Sequence, residues 1–222
     1  NGSSYNSAGR ESWSCVRPDY SSDKTDDYFT SIEGRQHFAE APDSQVPWPS
    51  ENLVEGFKEA ITQYYQEMND LGQILFRIFA KILKLDDEDY LLNLARRHTS
   101  SLNLTNFVEG FEGQTVLHPH ADITCFTILS HDSSEDACGN GCLEVLNPNY
   151  VDGTCPWIGL SPPDKDSPPT FLVNLGQIME RWSNGRLKAT LHRVVRNDIH
   201  GSGFRRRQGF VYFQNCDYNA YL

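Results

Sequence analysis

The sequence predicts a mainly β fold with flanking helices (α+β), a β-sandwich or jelly-roll barrel backed by a long helix. Two observations carry that expectation. Apolar residues recur at spacings of three and four from Phe57 to Ile82, and beyond His98 the pattern changes to short β-rich segments divided by Gly, Pro, Asn and Asp turns. Helices first and many short strands afterwards is the order expected of a sheet-built core covered by helices. At 222 residues the chain can bury one sizeable core. The expected organisation is one structural unit in two parts: a lead-in with buttressing helices over 1–98, and the barrel over 99–222.

Residues 1–50 are rich in Ser, Asp, Gly and Pro without a sustained period, and read as an irregular lead-in with short elements. The opening Asn1-Gly2-Ser3-Ser4-Tyr5-Asn6 has no Met and reads like the middle of a protein, so truncation at the start is expected. Trp48-Pro49-Ser50 punctuates, with Ser50 as N-cap and Glu51 a favourable charge in the first turn. Phe57, Ile61, Tyr64, Met68, Leu71, Leu75, Ile78 and Ile82 then line one face of an amphipathic helix bent at Gly72. A shorter helix is expected over 88–97. Strands are expected at 100–107, 123–130, 143–146, 170–174, 189–195 and 208–214, with turns at Gly139-Asn140-Gly141 and Asn184-Gly185. The stretch 132–169 reads mostly as loop over the barrel mouth.

A net charge of −11 argues against nucleic acid as the main partner, because phosphate binding needs a basic surface. Yet eight of the basic residues lie between Arg181 and Arg207, which allows an anionic small molecule in the last quarter. The six cysteines form no regular framework, so reduced thiols in a cytoplasmic protein are expected. Cys138, Cys142 and Cys155 offer three zinc ligands, but no fourth follows at finger-like spacing. No apolar run reaches membrane-spanning length.

The chemistry-bearing stretch is His120-Ala121-Asp122, at the head of an apolar, β-branched run. On a strand, residues i and i+2 face one side, so imidazole and carboxylate would form two-thirds of a facial iron site. The third ligand should be a histidine on another strand. His37, His98 and His200 lie in polar, turn-rich contexts that suggest the surface. His118 competes with His120 but lies beyond Pro119, and His131 ends its strand. His192 sits among Leu191, Val194 and Val195, where a polar group needs a partner; a hydrogen-bonded core histidine is the alternative reading.

Val173-Asn174-Leu175-Gly176-Gln177, Trp182-Ser183-Asn184-Gly185 and Leu191-His192-Arg193-Val194-Val195 together resemble the isopenicillin N synthase-like family, most of whose members are Fe(II)- and 2-oxoglutarate-dependent oxygenases. His120-Ala121-Asp122 with Thr127-Ile128-Leu129 and Asp132, Gly141-Cys142-Leu143-Glu144-Val145, and Gly9-Arg10-Glu11-Ser12 with Val46-Pro47-Trp48-Pro49 match the same pattern. The resemblance covers nearly the whole chain, while the family pattern begins earlier and runs further.

That resemblance implies a double-stranded β-helix (jelly-roll) barrel in which His120, Asp122 and His192 ligate Fe(II). It implies 2-oxoglutarate as co-substrate, ascorbate as a reductant, and release of succinate and CO2 as a small metabolite is hydroxylated, desaturated or cyclised. The family's Arg-x-Ser carboxylate anchor falls on Arg207 and Gly209, so the serine is replaced. Its Asn-x-Tyr falls on Asn103 and Thr105, or two residues later on Thr105 and Phe107; the tyrosine is lost either way. Alternation would turn Arg207, Gly209, Val211 and Phe213 to one face. Leu143, Phe126, Tyr212, Phe213 and Gln214 are candidate pocket residues. A monomer acting on a small, carboxylated substrate, with neither nucleic acid nor membrane as partner, is expected. An oxidase that uses no 2-oxoglutarate and an inactive barrel acting as a binding module are the competing readings.

Overall fold

The structure, a computed structural model, describes residues 10–16, 48–107, 115–131, 143–152, 156–160, 168, 170–195 and 207–222. Its helices are α1 (Phe57–Leu83), α2 (Tyr90–Asn93) and α3 (Gln177–Trp182). Its strands are β1 (Arg10–Val16), β2 (Ser101–Phe107), β3 (Thr115–His120), β4 (Phe126–His131), β5 (Leu143–Leu146), β6 (Trp157–Leu160), β7 (Leu172–Leu175), β8 (His192–Val195) and β9 (Arg207–Gln214). They form a five-stranded sheet in the order β1-β2-β9-β4-β7 and a four-stranded sheet in the order β3-β8-β5-β6. Neighbours so far apart in sequence are what a jelly roll requires.

Two compact units divide the chain. The unit containing 103–213 holds the barrel. Its core joins Phe107, Leu129, Leu143 and Val194, with Leu117, Leu160, Leu172 and Val211 packed against them. Four of these eight come from each sheet, so the two inner faces interdigitate as in a sandwich. Fully burying an aliphatic or aromatic side chain of this size contributes about 1.5–3 kcal/mol.

The unit containing 14–102 and 214–220 holds α1 and α2. Ser100 is its polar hub. The Ser100 carbonyl accepts the Tyr65 hydroxyl at 2.9 Å, and its Oγ accepts Gln214 Nε2 and the Asn215 amide, both at 3.0 Å. His98, expected at the surface, is instead 5% exposed. It stacks on Tyr65 and bridges to Asp217.

The sequence reading of α1 needs three corrections. Ser50 opens a turn, its carbonyl accepting the Leu53 and Val54 amides, and the helix starts only after Gly56 in the left-handed region. The helix runs without interruption through Gly72, which is buried. The buried stripe is Ile61, Tyr65, Met68, Gly72, Phe76, Phe79, Ala80 and Leu83, which leaves Ile78 and Ile82 exposed. Gly72 and Ala80 are small, and both are buried on the inward face. Lys84 ends the helix in the left-handed region, and the Leu85 amide reaches back to the Ala80 carbonyl.

Elsewhere, the helix expected over 88–97 shortens to α2. β6 appears inside the stretch read as loop, paired antiparallel to β5 from Leu143↔Leu160 to Leu146↔Trp157. The segment 123–125 is a bend rather than the start of a strand. Cys15, Cys125 and Cys216 are buried, and burial pushes the Cys15 thiol up to about 12. His37, His200, Cys138, Cys142, Cys155, Asp132 and the turn at 139–141 lie outside the described residues.

Candidate metal centre and its cavity

His120 ends β3 and His192 begins β8, and the two are register partners in that antiparallel pair. Their rings stand 4.3 Å apart between centroids. Asp122 is not on the strand with His120. It lies in the connection to β4, two residues on, and is brought round by a bend. That bend is held by α3: the Gln177 amide donates to the Asp122 carbonyl at 2.8 Å, Ile178 to Thr124 at 3.2 Å, and Gly176 to Cys125 at 3.0 Å. The approach is so close that a Cβ on Gly176 would sit 2.0 Å from the Thr124 carbonyl oxygen. Gly176 is therefore required by space, not by backbone angle.

The result is three ligand atoms within 4.8 Å of one another, from His120, Asp122 and His192. Asp122 Oδ1 lies 3.7 Å from His120 Nε2 and 3.8 Å from His192 Nε2. Each imidazole has its Nδ1 against a carbonyl: His120 against His118 at 2.7 Å, His192 against Thr190 at 3.0 Å. A carbonyl can only accept, so Nδ1 carries the proton and the Nε2 lone pair is left for a metal. Asp122 Oδ2 accepts from the Thr127 hydroxyl at 2.6 Å and from Asn174 Nδ2 at 2.8 Å, which leaves Oδ1 to the centre. Two imidazole lone pairs and a carboxylate oxygen converge on one point, and a cation suits that donor set. His118, the competitor, is exposed and contributes only its carbonyl.

These atoms line a cavity of about 170 Å³. Its walls are mostly apolar, with Phe107, Leu117, Leu143, Val145, Val194 and Phe213 among them. Asn103, Thr105 and Gly209 also line it, and Thr105 Oγ1 donates to the Gly209 carbonyl at 3.2 Å. The two positions that depart from the family pattern thus touch each other. Asn106, between Thr105 and Phe107, turns away and its Nδ2 donates to Glu11 at 2.7 Å, so Asn103, Thr105 and Phe107 all face the cavity and both registers of the pattern stay open. Arg207 opens β9, and its side chain lies outside what the structure describes.

The pattern of residues 97–207 matches the model of the 2OG-Fe(II) oxygenase superfamily. The chain belongs to that superfamily. Among curated relatives, the 2-oxoglutarate-dependent dioxygenase ecdK of Aspergillus rugulosus is 29% identical over 73% of this chain and 48% of its own. Azadirone synthase LFS of Melia azedarach is 29% identical over 68% and 44%. The chain spans about half the length of the curated relatives it matches. Among solved structures, a full-length Neurospora crassa protein in complex with alpha-KG and thymine superposes with a TM-score of 0.73 at 25% identity, covering 98% of this chain and 57% of that one. The jelly-roll fold and the family resemblance read from the sequence are borne out.

Of the other pocket candidates, Leu143 and Phe213 line the cavity. Tyr212 and Gln214 alternate to the opposite face of β9, and Phe126 is fully buried in the core. Four contributors have no assignment from the sequence. Thr127 and Asn174 stand inside the motifs and Gly176 in the turn signature, but nothing in the spacing says what they hold. The fourth, Arg10 of β1, lines the same cavity. Of the basic residues near the end of the chain, Arg193 pairs with Glu144 at 2.6 Å and stacks over Trp157, and Lys188 pairs with Glu180 at 3.0 Å, so neither is left for a small anion.

Proposed function

We propose that this chain is the catalytic core of a non-haem Fe(II)- and 2-oxoglutarate-dependent dioxygenase that oxidises an unactivated C–H bond of a small metabolite by hydroxylation, desaturation or oxidative cyclisation. The observation that carries the reading is the convergence of His120 Nε2, Asp122 Oδ1 and His192 Nε2, with every opposite ligand atom already hydrogen-bonded. Bound Fe(II) with 2-oxoglutarate supplies the oxidising chemistry, in which O2 is consumed, the co-substrate leaves as succinate and CO2, and a substrate C–H is oxidised.

The chain's own residues do the rest. The carbonyls of His118 and Thr190 keep both imidazoles in the metal-binding tautomer, and Thr127 and Asn174 aim the carboxylate. The apolar walls exclude water from the reacting centre. Asn103, Thr105 and Gly209, with Arg207 at the start of β9, hold the co-substrate, and the Arg207 fork takes its distal carboxylate in place of the lost serine hydroxyl. Ascorbate serves as reductant. The barrel over 99–222 carries the metal-binding and co-substrate residues. The substrate is a small, carboxylated molecule of secondary metabolism, and the protein acts as a cytoplasmic monomer without nucleic acid. No helix among the described residues is long and apolar enough to cross a membrane.

The test is anaerobic titration of Fe(II) and then 2-oxoglutarate, followed by succinate release against a panel of metabolites. One succinate per product is expected, and His192→Ala should lose both metal binding and turnover. Failure to bind Fe(II), or turnover in the complete absence of 2-oxoglutarate, would overturn the proposal. The second outcome would favour the oxidase that takes all its electrons from the substrate.

A further inference from the structure

We infer that Arg10 is the substrate-specificity residue of this cavity, a guanidinium fork that receives the carboxylate of an otherwise apolar substrate. Its Nε is buried and makes no hydrogen bond. It forms no ion pair with a described carboxylate, and it lines the cavity that holds His120, Asp122 and His192. It is the one Lys or Arg among the described lining residues. Partial burial also holds its pKa below the ordinary arginine value.

Charge balance shows what is missing, and this step rests on the function proposed above. Asp122, Fe(II), the 2-oxoglutarate dianion and Arg207 together are neutral. That leaves the Arg10 charge with no described counter-ion at the wall of a largely apolar cavity, and a half-buried cation there gains when an anion meets it. The co-substrate does not fill that role in this arrangement. The residues assigned to it come from β2 and β9, whereas Arg10 comes from β1, on the other side of β2 from β9. Arg207 and Gly209, the carboxylate anchor proposed on β9, are thus two strands or roughly 10 Å from β1, enough for a second anion beside the first, with Asn103 and Thr105 on the strand between. A carboxylate head on an apolar body matches both the fork and the walls of Leu117, Leu143, Val145 and Phe213.

The test uses hexanoate and hexanamide as matched probes. They are titrated by calorimetry into the full chain loaded anaerobically with Fe(II) and saturating 2-oxoglutarate. Wild type should bind hexanoate in clear preference to hexanamide. Arg10→Gln should weaken hexanoate at least tenfold while leaving hexanamide and 2-oxoglutarate within twofold. Arg10→Lys should retain part of the preference, since it keeps charge without the fork. Equal binding of the two probes by wild type, or an unchanged hexanoate affinity in Arg10→Gln, would overturn the inference. So would a loss confined to 2-oxoglutarate, which would make Arg10 a co-substrate anchor. If wild type binds neither Fe(II) nor 2-oxoglutarate, the functional proposal fails by itself. The same titrations on metal-free protein then still decide whether Arg10 sets a carboxylate preference.

Discussion

Asp122 divides its two oxygens between separate tasks, and the division can be tested one side chain away. Oδ2 is held by Thr127 and Asn174, so Thr127→Val should leave the fold intact and lower Fe(II) or Mn(II) affinity by roughly 10–100-fold, measured by anaerobic titration. Gly176→Ala acts through backbone instead. With a Cβ 2.0 Å from the Thr124 carbonyl oxygen, the bend presenting Asp122 must move. Denaturant melts should show a loss at or beyond the upper end of the about 1–3 kcal/mol typical of overpacking, together with weaker metal binding. The sequence names the candidate ligands for a partly mistaken reason. Alternation puts His120 and Asp122 on one strand face, whereas a bend carries Asp122 to the same point. Arg10 escapes notice because a lone arginine in a polar lead-in carries no period that marks an inward side chain.

Among the elements, legibility follows side-chain chemistry. β5 and β9 are visible because Leu143 to Leu146 and Arg207 to Gln214 are bounded by turn residues or alternate cleanly. β3 is hidden by His118-Pro119-His120, since proline inside a run speaks against a strand. β6 is hidden by its brevity and by Gly159. In α1 the period is right but the face drifts, because apolar residues stand on both sides: Tyr65, Phe76, Phe79 and Leu83 turn inward while Ile74, Ile78 and Ile82 stay exposed. That correction has a measurable consequence: Phe76→Ala should cost about 3–5 kcal/mol, whereas Ile78→Ser, on the exposed side, should stay within about 0.5 kcal/mol by urea denaturation.

At the level of the whole molecule, the jelly roll and the superfamily are readable because three candidate ligands, a turn signature and their order all fall within residues 97–207. What composition could not supply is the cavity's inventory, since strands far apart in sequence furnish it. If the centre holds a cation only when folded, metal at a hundred times its dissociation constant should add about 2.7 kcal/mol. For a chain of this size that raises the melting temperature by roughly 5–10 °C, and a chelator should reverse it. An unshifted melt with metal present would argue that the three side chains bind no cation.

The pairing of His120 with His192 reaches beyond chemistry. β3 and β8 are joined by about 70 residues of intervening chain, and their ladder already carries register shifts between Thr115 and Leu117 and between Leu117 and His120. Slippage by a single residue would turn one imidazole to the far face of the sheet. A cation gripping both rings would act as a clasp on strand alignment, rewarding one registry over its neighbours. Metal uptake could then be followed as a spectroscopic clock for the moment these two distant strands lock together.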